Sequence, residues 1–154
     1  MLPMPKVVIS DTSCFIILSK IERIDLLKDV YGSIVTTKEV VEEYGESLPS
    51  WVEVINVEDK QRQKLLELHI DRGESSAISL ALEIANSLLI LDDYKARRVA
   101  EQLGLSYTGT IGVIVKAKLL GIIPSIKPLL NQIKLTNFRI SVELEKSALI
   151  EAGE

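Results

Sequence analysis

The stretch Val7-Val8-Ile9-Ser10-Asp11-Thr12-Ser13 decides how this chain is read. A short β-rich apolar run that stops at an aspartate predicts a buried strand, from Lys6 to Ser10, reaching the rim of a sheet. That rim is where open α/β folds keep their ligands. From Thr12 to about Lys20, apolar residues Phe15, Ile16 and Leu18 recur at helical spacing and continue to Ile21, so strand, acid and helix follow in that order. The order returns at residues 87–91, SLLIL, where Asp92-Asp93 follows the strand and Ala96, Val99, Ala100 and Leu103 stripe the next helix up to Gly104.

Between these two stretches, SIVT and the half-alternating WVEVINV at 51–57 read as strands. Thr36-Thr37-Lys38-Glu39 matches a capping box, so a helix is expected from there to about Tyr44, with Gly45 as its stop. Asp59 to Ile70 reads as a solvated helix. Gly73 then opens an apolar one whose buried side is Ala77, Ile78, Ala81, Leu82 and Ala85. LSYTGT gives a last strand and turn, followed by helices from IGVIVKAKLL, after Pro124 and Pro128, and from Ser141, which can cap toward Leu144. Strands alternating with helices imply βαβ units and a mostly parallel sheet flanked by helices, in one domain over residues 1–154.

Composition narrows the chemistry. One cysteine, Cys14, excludes an internal disulfide and fits a reducing cytoplasm. A single histidine, His69, leaves almost no material for a zinc site or a His-based triad. No apolar run approaches a membrane span, and MLPMPKVVIS lacks the pattern of a signal peptide. The formal charge of −4 argues at first against a nucleic-acid partner, but five acids in suggestive positions carry more than all of it and leave about +1 for the rest of the chain.

Those five are Asp11, Glu43, Glu74, Asp92 and Asp93. Taken singly, each has a structural explanation: Asp11 and one of the Asp92-Asp93 pair can cap helices, and Glu74 suits a helix N-terminus. Taken together, they stand at the ends of two strands and the starts of neighbouring helices. Carboxylates converging there repel one another unless a hard divalent cation, Mg²⁺ or Mn²⁺, holds them. In EVVEEY the expected buried face is Val40, Val41 and Tyr44, which puts Glu43 at its edge and Glu42 opposite it in water. Glu39 is assigned to the capping box. Lys95, Arg97 and Arg98 could hold phosphates beside such a site or form an ordinary solvated face. Thr108 and Thr110 could orient water or cap the following helix.

In order from about Val7 to Glu154, the segments VVISDTSCFIILSKI, EVVEEY, RGESSAISLALE, LLILDDYKARRVAEQLGL, TGTIGVIVKAKLLGII and FRISVELEKSALIEAGE resemble a PIN-domain protein. The likeness is to a nucleic-acid-binding branch related to the VapC-like ribonuclease toxins of toxin–antitoxin pairs. It implies a parallel sheet flanked by helices and an acidic pocket that binds Mg²⁺ or Mn²⁺ for RNA hydrolysis. By position the resemblance places the first acid of that pocket at Asp11, the helix glutamate at Glu43, the next at Glu74 and the last at Asp92 or Asp93. The expectation is a cytoplasmic, metal-dependent endoribonuclease. Asp11, Glu74 and Asp92 would be its main metal ligands, completed by Glu43 and Asp93, and an antitoxin protein is a possible partner. A nuclease-inactive nucleic-acid or protein-binding module is the alternative. A phosphoryl-transfer receiver would need its acidic pair after the first strand, and here the pair follows a late one. Ile122, Ile123, Ile126, Leu129, Leu130, Ile133 and Leu135 exceed what one short helix pair readily hides, so residues 122–154 either cover the sheet or form a homodimer interface.

Overall fold

A computed structural model describes residues 7–154; Lys6, assigned above to the first strand, and the rest of the N-terminal stretch read for a signal peptide lie outside the described residues. Five short strands, β1 (Val7–Ser10), β2 (Ile34–Thr36), β3 (Val52–Val54), β4 (Ser87–Ile90) and β5 (Ser106–Thr108), form one sheet. Their order is β3-β2-β1-β4-β5 and every pairing is parallel. The chain builds outward from β1 to β3, returns to place β4 beside β1, and continues to β5. The order therefore reverses between β1 and β4, the switch point at which parallel sheets open a crevice at their C-terminal ends. Register pairs Ser10 with Ile90, and the Asp11 N–H donates to the Ile90 carbonyl at 3.1 Å. The acids after β1 and after β4 thus leave the sheet next to each other.

Helices α1 (Thr12–Lys20), α2 (Asp25–Tyr31), α3 (Lys38–Tyr44), α4 (Lys60–Leu66), α5 (Arg72–Glu83), α6 (Tyr94–Gln102), α7 (Thr110–Leu119), α8 (Lys127–Lys134) and α9 (Val142–Glu151) complete the order. Strand side chains alternate between two cores. Val8, Ile34 and Ile90 join the side filled by α1, α2, α7 and α8, while Ile9, Val35 and Leu89 join the side filled by α5 and α6. This is the expected three-layer α/β/α arrangement, with β1, β2 and the end of β4 buried between the layers and the edge strands β3 and β5 partly exposed. No helix among the described residues is long and apolar enough to cross a membrane.

Two expectations change. Ile123, Ile126, Leu129, Leu130 and Ile133 are all buried in the first core, and only Leu135 of the C-terminal apolar group is strongly exposed. One chain therefore buries most of the apolar group that suggested a dimer, in the core shared with α1, α2 and α7, and α9 packs against α7. The other change concerns the capping box. Thr36 ends β2 and spends its hydroxyl on the Ser10 carbonyl at 2.8 Å, so Thr37 becomes the N-cap of α3 and accepts from the Val40 N–H. That one-residue shift turns Glu39 inward. Burial alone would raise its pKa, but the Gln63 side chain, its own backbone and Lys60 at 3.4 Å hold it below the ordinary value. The capping box that does form is Asp71 with Glu74 at the start of α5.

Thr37 also ties α3 to α5. Ser76 donates its hydroxyl to the Gly73 carbonyl at 2.7 Å, so the 2.6 Å contact between Thr37 and Ser76 is donated by Thr37. The relay Val40 N–H, Thr37, Ser76, Gly73 fixes where Glu43 stands relative to α5. Thr37→Ala should cost about 1–2 kcal/mol in urea unfolding, and Thr37→Ser should retain most of the stability; equal losses would mean that the methyl group, not the hydroxyl, is what the site needs.

Candidate active site at the sheet rim

Asp11 is the innermost of the acids. It follows β1, is 5% exposed, and its Oδ1 is buried without a hydrogen-bond partner. It stands in the N-cap position of α1 but makes no side-chain cap bond, so the structural explanation open to it in the sequence does not account for it. Burial first, then the charges of Glu74, Asp71 and Glu43, hold its pKa well above the ordinary carboxylate range, against a Thr12 backbone N–H that lowers it.

Gly73 lets the neighbouring acids close in. A Cβ at that position would lie 2.9 Å from Glu43 Oε2 and 3.3 Å from Asp11 Oδ1. The absence of a side chain in the first turn of α5 thus makes room for two carboxylates from two other elements. Glu42, one residue away, points outward and pairs with Arg72 at 2.9 Å. Glu43 is exposed, as Glu42 is, but its carboxylate turns toward Gly73; the buried face of α3 is Glu39 and Val40, with Val41 and Tyr44 half-buried.

Glu74 lies behind this contact, 7% exposed. Its backbone N–H donates to Asp71 Oδ1 at 2.8 Å, and its Oε1 accepts from the Asp71 N–H at 3.3 Å. Burial, then Asp71 and Asp93, then Glu43, push its pKa up to about 7, with the Asp71 N–H opposing. Asp71 was missed in the sequence. The signal was present, since Asp71-Arg72-Gly73-Glu74 has capping-box spacing.

Asp92 and Asp93 have different partners, and it is Asp93 that serves as the helix cap. Asp92 Oδ2 accepts from the Ser13 and Thr110 hydroxyls at 2.7 and 2.6 Å, and Oδ1 from the Thr110 N–H at 2.8 Å. It pins the starts of α1 and α7 to the end of β4, and Thr110 neither caps α7 with its side chain nor faces open water. Asp93 caps α6 through the Ala96 N–H at 3.0 Å, yet it is Asp93 whose charge reaches Glu74. The three cations of α6 also part company. Arg97 folds back, donates from Nε to the Leu91 carbonyl at 2.6 Å and lies over Tyr107 with its guanidinium against Gly109. Lys95 and Arg98 face the opposite side of the helix, toward His69 and Leu66. Arg97 is thereby held at the β4–β5 end, half-buried, where it lines one cavity with Asp92.

Among the described residues, no three His, Cys, Asp or Glu side chains stand grouped so as to hold one ion by themselves. Magnesium does not require such a cage, since it is commonly held by one or two carboxylates and keeps its remaining positions for water and substrate phosphate. The unpartnered Asp11 Oδ1, with Glu43 Oε2 converging on the same point above Gly73, fits that mode.

An all-parallel α/β/α sheet with carboxylates crowded at its switch point defines the class. A family model described as a PIN domain matches residues 7–154, and the chain belongs to that family. PIN domains are typically nucleases that use divalent metal ions. None of the curated proteins matches the chain.

The raised pKa of Glu74 gives stability a direction with pH. Folding favours its protonated form, so that contribution is fully present below the unfolded value of 4.5 and is lost as pH rises through about 7. Asp11 acts in the same direction. Metal-free protein should melt at a higher temperature at pH 5 than at pH 8, and Glu74→Gln should flatten the difference; a steeper dependence in the variant would overturn the assignment.

Proposed function

We propose that this PIN-domain protein is a Mg²⁺- or Mn²⁺-dependent endoribonuclease that hydrolyses RNA phosphodiester bonds at the acidic rim between β1 and β4. The observation that carries the reading is the convergence of Asp11 Oδ1 and Glu43 Oε2 above Gly73, one of them buried with nothing to bond. Desolvated like charges are costly, and a fold that keeps them together has a use for a cation there. When bound, such an ion lowers the pKa of an attacking water and neutralises charge developing on the phosphodiester.

In this reading Asp11 and Glu43 hold the ion, with Asp93 and Glu74 beside them. Burial and the neighbouring acids raise the Glu74 pKa to about 7 in the metal-free protein, and an ion beside it would draw that value down. Asp92 remains a candidate ligand through Oδ1, which has one recorded bond, while its Oδ2 is taken by two hydroxyls. Lys95 and Arg98 supply positive charge on the flank. Action as the toxin of a cytoplasmic toxin–antitoxin pair belongs to the same reading. So does a homodimer, on a smaller surface than the sequence suggested: Leu119 and Leu120 at the end of α7, and Ile150 on the neighbouring α9, are exposed.

Asp11→Asn should weaken Mn²⁺ binding in calorimetry and abolish cleavage of an RNA substrate, while the metal-free variant melts no lower than the parent because one repelling charge has gone. Unchanged Mn²⁺ affinity would remove Asp11 from the site. A second comparison uses the neighbouring glutamates. Glu43→Gln should lose most activity, about a hundredfold on the scale of a lost charge stabiliser, and Glu42→Gln should keep nearly all of it, since Glu42 is engaged with Arg72 at the surface.

A further inference from the structure

The first turn of α6 carries a second feature beside the acidic rim. Tyr94 follows Asp93 directly and is 73% exposed, with the Arg98 guanidinium 5.9 Å from its ring centroid. Ring and guanidinium border a groove between α6 and the turn joining α4 to α5, floored by Leu66, Val99 and Leu103 and edged by His69 and Lys95. The groove adjoins the rim along the chain. Asp93 precedes Tyr94 on one side, and Asp71 lies two residues beyond His69 on the other.

A lone exposed tyrosine needs no explanation. The combination does. Among the described residues Lys95 and Arg98 form no ion pair, as is also true of Lys20, Lys28, Lys64 and Lys127, but Lys95 and Arg98 both border this groove and its exposed ring. An aromatic face held by a cation, over an apolar floor and between two uncompensated positive charges, has the chemistry that stacks a base and holds the phosphates on either side of it.

We propose that this groove is a subsite for single-stranded RNA flanking the scissile bond, with one unpaired base stacked on Tyr94 and the adjoining phosphates on Lys95 and Arg98. The choice of ligand rests on the nuclease reading; the groove itself rests on Tyr94, Arg98 and Lys95. Bases in a duplex are already stacked on each other and cannot be offered to the ring, so the subsite selects single strands. An apolar peptide could use the same floor but would leave both cations without a counter-charge, so RNA is the better match.

The test uses fluorescence anisotropy of a short labelled single-stranded RNA on the full chain carrying Asp11→Asn, so that the RNA is bound and not cut. Adding Tyr94→Ala should weaken binding about tenfold, and Tyr94→Phe should restore it. Lys95→Ala should flatten the dependence of log affinity on log salt by about 0.7, the value of one released counterion on a single strand. With a blunt RNA duplex as the probe, Tyr94→Ala should leave the affinity unchanged. In the cleaving protein, Tyr94→Ala should raise KM and leave kcat within about twofold, which a merely structural residue would not do. Equal single-strand affinity with and without the Tyr94 ring would overturn the proposal and leave the groove to a protein partner. Ring-dependent binding by a protein that cuts nothing in Mn²⁺ would keep the subsite and retire the nuclease reading, whereas cleavage with ring-independent affinity would do the reverse.

Discussion

Asp11 leaves the central strand with its backbone N–H bonded to Ile90 and one carboxylate oxygen buried without a partner, and the rim is arranged around that constraint. A desolvated carboxylate is unfavourable wherever it stands. Here the position is imposed by topology, because β1 is the middle strand and its C-terminal end opens onto the switch point. Three further carboxylates, on Glu43, Glu74 and Asp71, raise the electrostatic cost instead of relieving it. The surrounding fold offsets that cost with two cores and with hydrogen bonds that hold the acids in place. The Thr37–Ser76–Gly73 relay fixes α3 to α5, and the Asp71–Glu74 box fixes the first turn of α5.

The acidic residues fall into two groups by what they touch. Asp92, held by Ser13 and Thr110, fastens three elements to one another. Arg97 works near it, with its guanidinium against Gly109 and over Tyr107. This side of the rim is stiff. On the other side Asp11, Glu43 and Glu74 repel one another across a glycine, with Asp93 adding to the charge on Glu74. A rigid frame beside a crowded, open set of carboxylates suits a site in which geometry is fixed before a cation and its substrate arrive.

Charge distribution explains how an acidic chain can face an acidic polymer. Six of the chain's 22 acids stand at the rim, where a cation would neutralise them, and among the described residues Lys95 and Arg98 on the adjoining helix form no ion pair. Net charge therefore describes this protein poorly, and the local field around α6 is what a ligand would meet.

Much of this was legible in the sequence. Apolar runs ending in acids gave β1 and β4, and helical periodicity gave most helices, because strand and helix periods are local properties of the backbone. The 51–57 strand was legible only in part: it shrinks to Val52–Val54 at the sheet edge, where no second neighbour extends the ladder. Other outcomes needed the tertiary structure. Whether Thr36 or Thr37 caps α3 depended on Ser10 taking the Thr36 hydroxyl from another strand. The roles of Asp92 and Asp93 depended on Thr110, which lies eighteen residues further along the chain, and the direction of Arg97 depended on β5. Spacing decides which residues can share a face, but long-range partners decide which hydroxyls, carbonyls and charges are already engaged, and so which are left to act.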